Sequence, residues 1–269
     1  MTLFDIKYFI KTEFLGYARE LKLHVESKMK SAHHPNNKFV IFSTGRSGST
    51  LLVNMLNTNN QVQCAGELLR SKNSAPEKVI KISEQLSRKE AFGFKLLTYQ
   101  LLNLQPTITH KKKFLERLVA NDYQIIYLDR KNSLLQALSV IYAMQRNVWH
   151  YKNEAQIQHT KITLNPDKLA TMIQEFEQFK IQERSLLEGL PYLYLNYEID
   201  LEKKVNLKST VHKLEAFLNL PLRAPQLNLK KVTPKRLSGF LHNSREISEF
   251  ILARKEYRQF TEPILDTIF

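Results

Sequence analysis

A chain of 269 residues, 43% hydrophobic and 25% charged, has the composition of an ordinary globular protein and is long enough to bury one sizeable core. Its single cysteine excludes a disulfide framework and an all-cysteine metal site, and no apolar run approaches the ~20 residues of a membrane-spanning helix. The excess of 40 Lys+Arg over 26 Asp+Glu, +14 in all, favours anionic partners: nucleic acid, acidic polysaccharide, anionic lipid or a phosphorylated cofactor.

In chain order, residues 1–31 read as a helix, with Leu3, Phe4, Ile6, Ile10, Phe14, Leu15, Leu21 and Val25 near helical spacing. Asp5, Lys7, Lys11 and Glu13 interrupt what would be the apolar region of a signal peptide. With the lone cysteine, this points to a reducing cytoplasm, with peripheral membrane contact at most. The polar break at 31–38 suggests a division into a helical segment, 1–38, and a main domain, 39–269. Residues 39–44 read as a buried strand ending in a glycine loop, 49–56 as a helix, and 61–65 as a second strand leading into Gly66 and Glu67. A helix is expected from Pro76 through 90, a strand at 91–97, and the clearest strand of all at 124–130, before a long amphipathic helix. The polar stretch 150–167 reads as a loop or lid, 168–188 as a helix, 192–198 as a strand and 206–218 as a helix. Strands alternating with helices predict an α/β fold with a central parallel sheet between layers of helices and extra helices at both ends.

Glycine usage narrows the search. Seven glycines stand where an average chain of this length carries about nineteen. Four of them, Gly45, Gly48, Gly66 and Gly93, fall in one stretch, as where a backbone turns tightly or approaches a ligand. Between the first strand and its helix runs Thr44-Gly45-Arg46-Ser47-Gly48-Ser49-Thr50, and strand–glycine loop–helix is a phosphate cradle. Against the nucleotide-triphosphate loop G-x-x-x-x-G-K-[ST], Gly48 and Thr50 match. Ser43 replaces the first glycine and Ser49 the lysine, while the cation has moved to Arg46. Such a loop suits a 5′-phosphate without a triphosphate tail.

STGRSGSTLLVNML, residues 43–56, resembles the 5′-phosphosulfate loop of sulfotransferases that use 3′-phosphoadenosine 5′-phosphosulfate (PAPS), and its arginine is similar to that of bacterial and carbohydrate members. A second motif, LDRKNSLLQALS at 128–139, carries the resemblance further: it implies that Arg130 and Ser139 hold the cofactor's 3′-phosphate. The residues agree with this. Arg130 ends a strand, Ser139 lies about two turns into the next helix at ~1.5 Å per residue, and Asn132, Gln136 and Ser139 share its polar face. A third element, Ala65-Gly66-Glu67, resembles the segment whose glutamate is assigned as general base.

The resemblance implies a P-loop, nucleotide-kinase-like fold and transfer of a sulfuryl group to an acceptor hydroxyl, in the style of a carbohydrate or glycolipid enzyme. Gly45, Arg46, Ser47, Gly48, Ser49 and Thr50 would hold the cofactor at its 5′-phosphate, with Arg46 also, and Glu67, as catalytic groups. No nucleic acid and no metal enter this scheme. Lys95 is a further candidate, weighed against a solvent-facing strand lysine. Arg236 is another, closing the basic run Lys230, Lys231, Lys235, Arg236. A P-loop kinase or nucleotide hydrolase, and a non-enzymatic binder of nucleic acid or acidic glycan, stand as alternatives.

Overall fold

The computed structural model describes residues 3–148, 160–222 and 236–268, with side chains from residue 16 onward except those of 266 and 267. Five strands form one sheet: β1 (Asn37–Ser43), β2 (Val62–Glu67), β3 (Ala91–Leu97), β4 (Tyr123–Asp129) and β5 (Tyr192–Asn196), in the order β2-β3-β1-β4-β5. Every pairing is parallel, and in the central strand Phe42 is matched with Leu96 of β3 and Tyr127 of β4. The near-continuous apolar runs FVIF and AFGFKLL suit strands covered on both faces. Strand order reverses about β1, so the carboxyl end of β1 is the place where open α/β sheets receive ligands.

The described residues divide into two compact units whose bounds differ from a split at residue 38. The first comprises residues 1–129 and 182–226 and holds the whole sheet. Its connecting helices are α2 (Ser49–Leu56), α3 (Pro76–Leu86) and α4 (Lys111–Ala120). Val40, Phe42, Phe92, Phe94, Leu96 and Ile125 of the strands pack with Val79 and Ile80 of α3 and Phe114, Leu115 and Leu118 of α4. The long α1 (Leu3–Met29) packs in this unit too. Glu20 accepts hydrogen bonds from the Ser74 and Ala75 amides at 3.1 and 3.0 Å and so caps α3, which has no side-chain cap of its own from Ala75.

The second unit comprises residues 130–181 and 227–269. It contains α5 (Ser133–Arg146) and most of α6 (Pro166–Leu187), with α8 (Ser244–Leu252), α9 (Arg258–Thr261) and α10 (Leu265–Ile268) following α7 (Leu207–Leu218) of the first unit. Leu134, Leu138, Ile141 and Tyr142 pack with Ile162, Leu169, Ile173, Phe240 and Ile247.

Two boundaries correct the reading of the sequence. Of the expected loop or lid at 150–167, residues 150–159 lie outside the described residues. The part beyond is not a free loop: Ile162 and Leu164 are buried, and Ile162 bridges Leu241 in parallel, its amide donating to Phe240 at 2.8 Å. The last strand stops at Asn196 instead of 198. There the Asn196 side chain accepts from the Ile199 amide and its own amide donates to Asp200, turning Tyr197–Leu201 into a π-helical turn.

Candidate active site

The loop after β1 has backbone and packing features that would suit an anion. Gly48 stands at φ 88°, and a Cβ there would come within 2.4 Å of the Tyr197 ring, so both conformation and space demand glycine. Arg46 also takes a left-handed conformation, φ 60°, an uncommon one for a side-chain-bearing residue and one that gathers at ligand clamps. Gly45 has no such excuse in packing, since a Cβ on it would meet nothing within 4 Å. The Ser47 hydroxyl is fully buried without a protein partner, and so is that of Ser43. No side chain caps the amino end of α2, where the helix dipole favours negative charge. Buried hydroxyl donors, open space over Gly45, an arginine and an uncapped helix end together fit a phosphate group.

A chain of polar contacts joins this loop to the neighbouring strands. Lys95 of β3, weighed from the sequence as a solvent-facing lysine, is instead buried, with 6% of its surface exposed. Its Nζ lies 3.3 Å from Thr50 Oγ1 and 2.8 Å from Glu67 Oε1. Register explains the pairing. Ala65 is opposite Phe94, but Glu67 and not Gly66 is opposite Lys95, so Gly66 is an extra residue, a bulge that brings Glu67 onto the face of the sheet that Lys95 occupies.

Gln100, which the sequence reading did not single out, takes the other carboxylate oxygen: its Nε2 donates to Glu67 Oε2 at 2.6 Å. The orientation of the Gln100 amide is settled by its carbonyl oxygen, which accepts from the Leu97 amide at 3.1 Å. Gln100 is fully buried in a second π-helical turn, Gln100–Leu104, that follows β3 directly. No signal in TYQLLN marks it, because the turn that aims it has no sequence signature. Below this chain, Cys64 is buried in β2, and loss of solvent pushes its thiol well above the usual range, against the opposing pull of Lys95.

The second pair of candidates belongs to the other unit. Arg130 follows β4 directly and is 9% exposed; Ser139, in the second turn of α5, is buried as well. Asn132, expected on the polar face of this helix, caps it, accepting from the Leu135 amide at 2.9 Å. The expected polar face differs in one respect. Gln136 and Ser139 are as buried as Leu134, Leu138 and Ile141, so α5 is covered nearly all round. Arg236 is exposed ahead of a short turn, and the other basic residues of its run, 230–235, lie outside the described residues. Among the described residues, no group of three or more His, Cys, Asp or Glu side chains is placed to hold a metal ion.

Residues 83–184 match the family model Stf0 sulphotransferase. No curated protein sequence matches the chain. Similar solved structures include a mouse sulfotransferase, SULT7A1, complexed with PAP, at 14% identity and TM-score 0.42, covering 75% of this chain and 64% of that one. A sulfotransferase from Alicyclobacillus acidocaldarius is 11% identical, with TM-score 0.46 and coverage of 87% and 96%. The sulfotransferase domain of the Synechococcus PCC 7002 olefin synthase is 14% identical, with TM-score 0.42 and coverage of 75% and 81%. This chain thus spans just under two thirds of the mouse chain. The family-model match takes in β3 with Lys95, β4, Arg130 and Ser139.

Proposed function

We propose that the chain moves a sulfuryl group from PAPS to a hydroxyl of a carbohydrate or glycolipid acceptor. The observation that supports this best is the link from Glu67 through Lys95 to Thr50, which ties a carboxylate to a phosphate loop lacking the lysine of triphosphate-binding enzymes. The donor supplies a sulfuryl group on a phosphate leaving group. Glu67 takes the proton of the attacking hydroxyl, its oxygens held by Lys95 and Gln100 while lone pairs remain for the acceptor. Ser47, Ser49 and Thr50 bind the 5′-phosphate with the amides of Gly45 and Gly48. Arg46 offsets the charge that grows on the departing oxygen. Arg130 and Ser139 keep the 3′-phosphate role that the family resemblance implies.

Thermal unfolding with added nucleotide tests the reading. A ligand bound only by the folded state stabilises it by roughly 2.7 kcal/mol at a hundredfold excess over Kd. Adenosine 3′,5′-bisphosphate should raise the melting temperature by several degrees, and Mg-ATP should not. Protection by Mg-ATP alone would make the chain a kinase or hydrolase, and protection by neither would leave a binding protein.

A further inference from the structure

We propose that the outer face of α1 docks on an anionic lipid surface. From residue 16 onward, the described contacts fasten the helix along one side. Gly16 crosses the chain at Lys72 so closely that a Cβ would lie 2.2 Å from its carbonyl oxygen. Arg19 donates to the Leu68 carbonyl at 2.9 Å, Glu20 caps α3, and Leu23 packs against the core of the first unit. These residues recur at three- and four-residue spacing and define the inner side.

The opposite side should be polar in a helix that meets only water. Instead it carries Tyr17, Leu21, Val25 and Met29, four residues apart, exposed by 53, 68, 51 and 80%. In the sequence the same series begins earlier, at Ile6, Ile10 and Phe14. Exposed lysines accompany the stripe: Lys22 and Lys28 border it and Lys30 follows, with Glu26 the one acid among them. An apolar row with an aromatic residue and flanking lysines is the chemistry of a helix lying in a lipid headgroup layer. A second copy of the chain is the poorer occupant, since pairing would bring two bodies of charge +14 together, whereas an anionic bilayer takes up both the apolar row and the lysines. Among the described residues no helix is long and apolar enough to cross a membrane, so the contact is interfacial.

Vesicle sedimentation tests this without any assay of transfer. The full chain should sediment with phosphatidylcholine–phosphatidylglycerol vesicles, stay in the supernatant with phosphatidylcholine alone, and be released by salt. Leu21→Glu with Val25→Glu should weaken partitioning by about tenfold or more at an unchanged melting temperature, because both positions are exposed. Lys28→Glu with Lys30→Glu should weaken it too and reduce the salt effect. Wild-type protein that ignores the mixed vesicles, or binding indifferent to both pairs of substitutions, would overturn the proposal. So would light scattering that finds a dimer dissociated by Leu21→Glu, which would assign the face to a second copy.

Discussion

Glu67 has both carboxylate oxygens engaged, by Lys95 at 2.8 Å and Gln100 at 2.6 Å, and this sharpens what a substitution there should do. Glu67→Gln removes the basicity but must also turn an NH2 group toward one of two donors. The variant should therefore lose stability by about 1–3 kcal/mol for the partner left unmatched. Turnover on an acceptor that the wild type sulfates should fall by roughly 10²–10⁴, with adenosine bisphosphate affinity changed by no more than about threefold. Calorimetry, nucleotide titration and single-turnover sulfation below the melting temperature check the three parts; near wild-type sulfation removes Glu67 as the base. At this scale the sequence singled out Arg46 and Glu67 by residue type alone, and the structure sets Arg46 in a left-handed loop position and Glu67 against Lys95. The sequence was silent on Gln100, whose importance comes only from where its amide points. It was ambiguous for Lys95, since a strand lysine looks the same whether it faces water or a partly buried carboxylate.

Elements were legible in proportion to the strength of their periodic pattern. β3 and α2 fall where their residues place them, and α5 begins at its Asn132 cap. Helix α4 was missed because Lys111, Lys112 and Lys113 open it and hide the Phe114, Leu115, Leu118 face. The run YLYLNYE overran its strand because aromatic residues continue into a turn that Asn196 and Asp200 impose. Glycines divided in the same way. Gly93 serves packing, with the Phe39 ring across it, whereas Gly48 serves the loop. Gly48→Ala should be destabilised by two separable effects, the left-handed backbone and contact with Tyr197. Adding Tyr197→Ala should recover the contact part and leave strain of about 1 kcal/mol. A double-mutant cycle by denaturant titration measures this, and a coupling of zero would mean that the loop shifts freely out of the way.

The molecule as a whole was legible as an α/β fold with a parallel sheet, because alternation of strand and helix patterns is a property of the entire string. Its division into units was not, since 182–226 rejoins the sheet after the chain has built most of a second core, and no local composition marks that return. The single cysteine allows the stability of the sheet to be followed. Cys64 is buried in the edge strand β2 and its thiol is raised by burial, so a disulfide reagent should label native protein slowly at pH 7–8 and unfolded protein at once. If labelling requires global unfolding, its rate should follow the equilibrium constant measured in denaturant. Faster labelling would show that β2 opens by itself.

The extra residue in β2 makes the position of the carboxylate a matter of counting. Side chains alternate along a strand, so the reading frame of β2, and not the identity of its residues, decides which side of the sheet receives Glu67. No point substitution can carry that carboxylate to another face, but one residue inserted ahead of it would, whereas loss of Gly66 would leave it opposite Lys95 in an unbulged ladder. An insertion, usually tolerated in loops, would in this short strand move the proposed base itself.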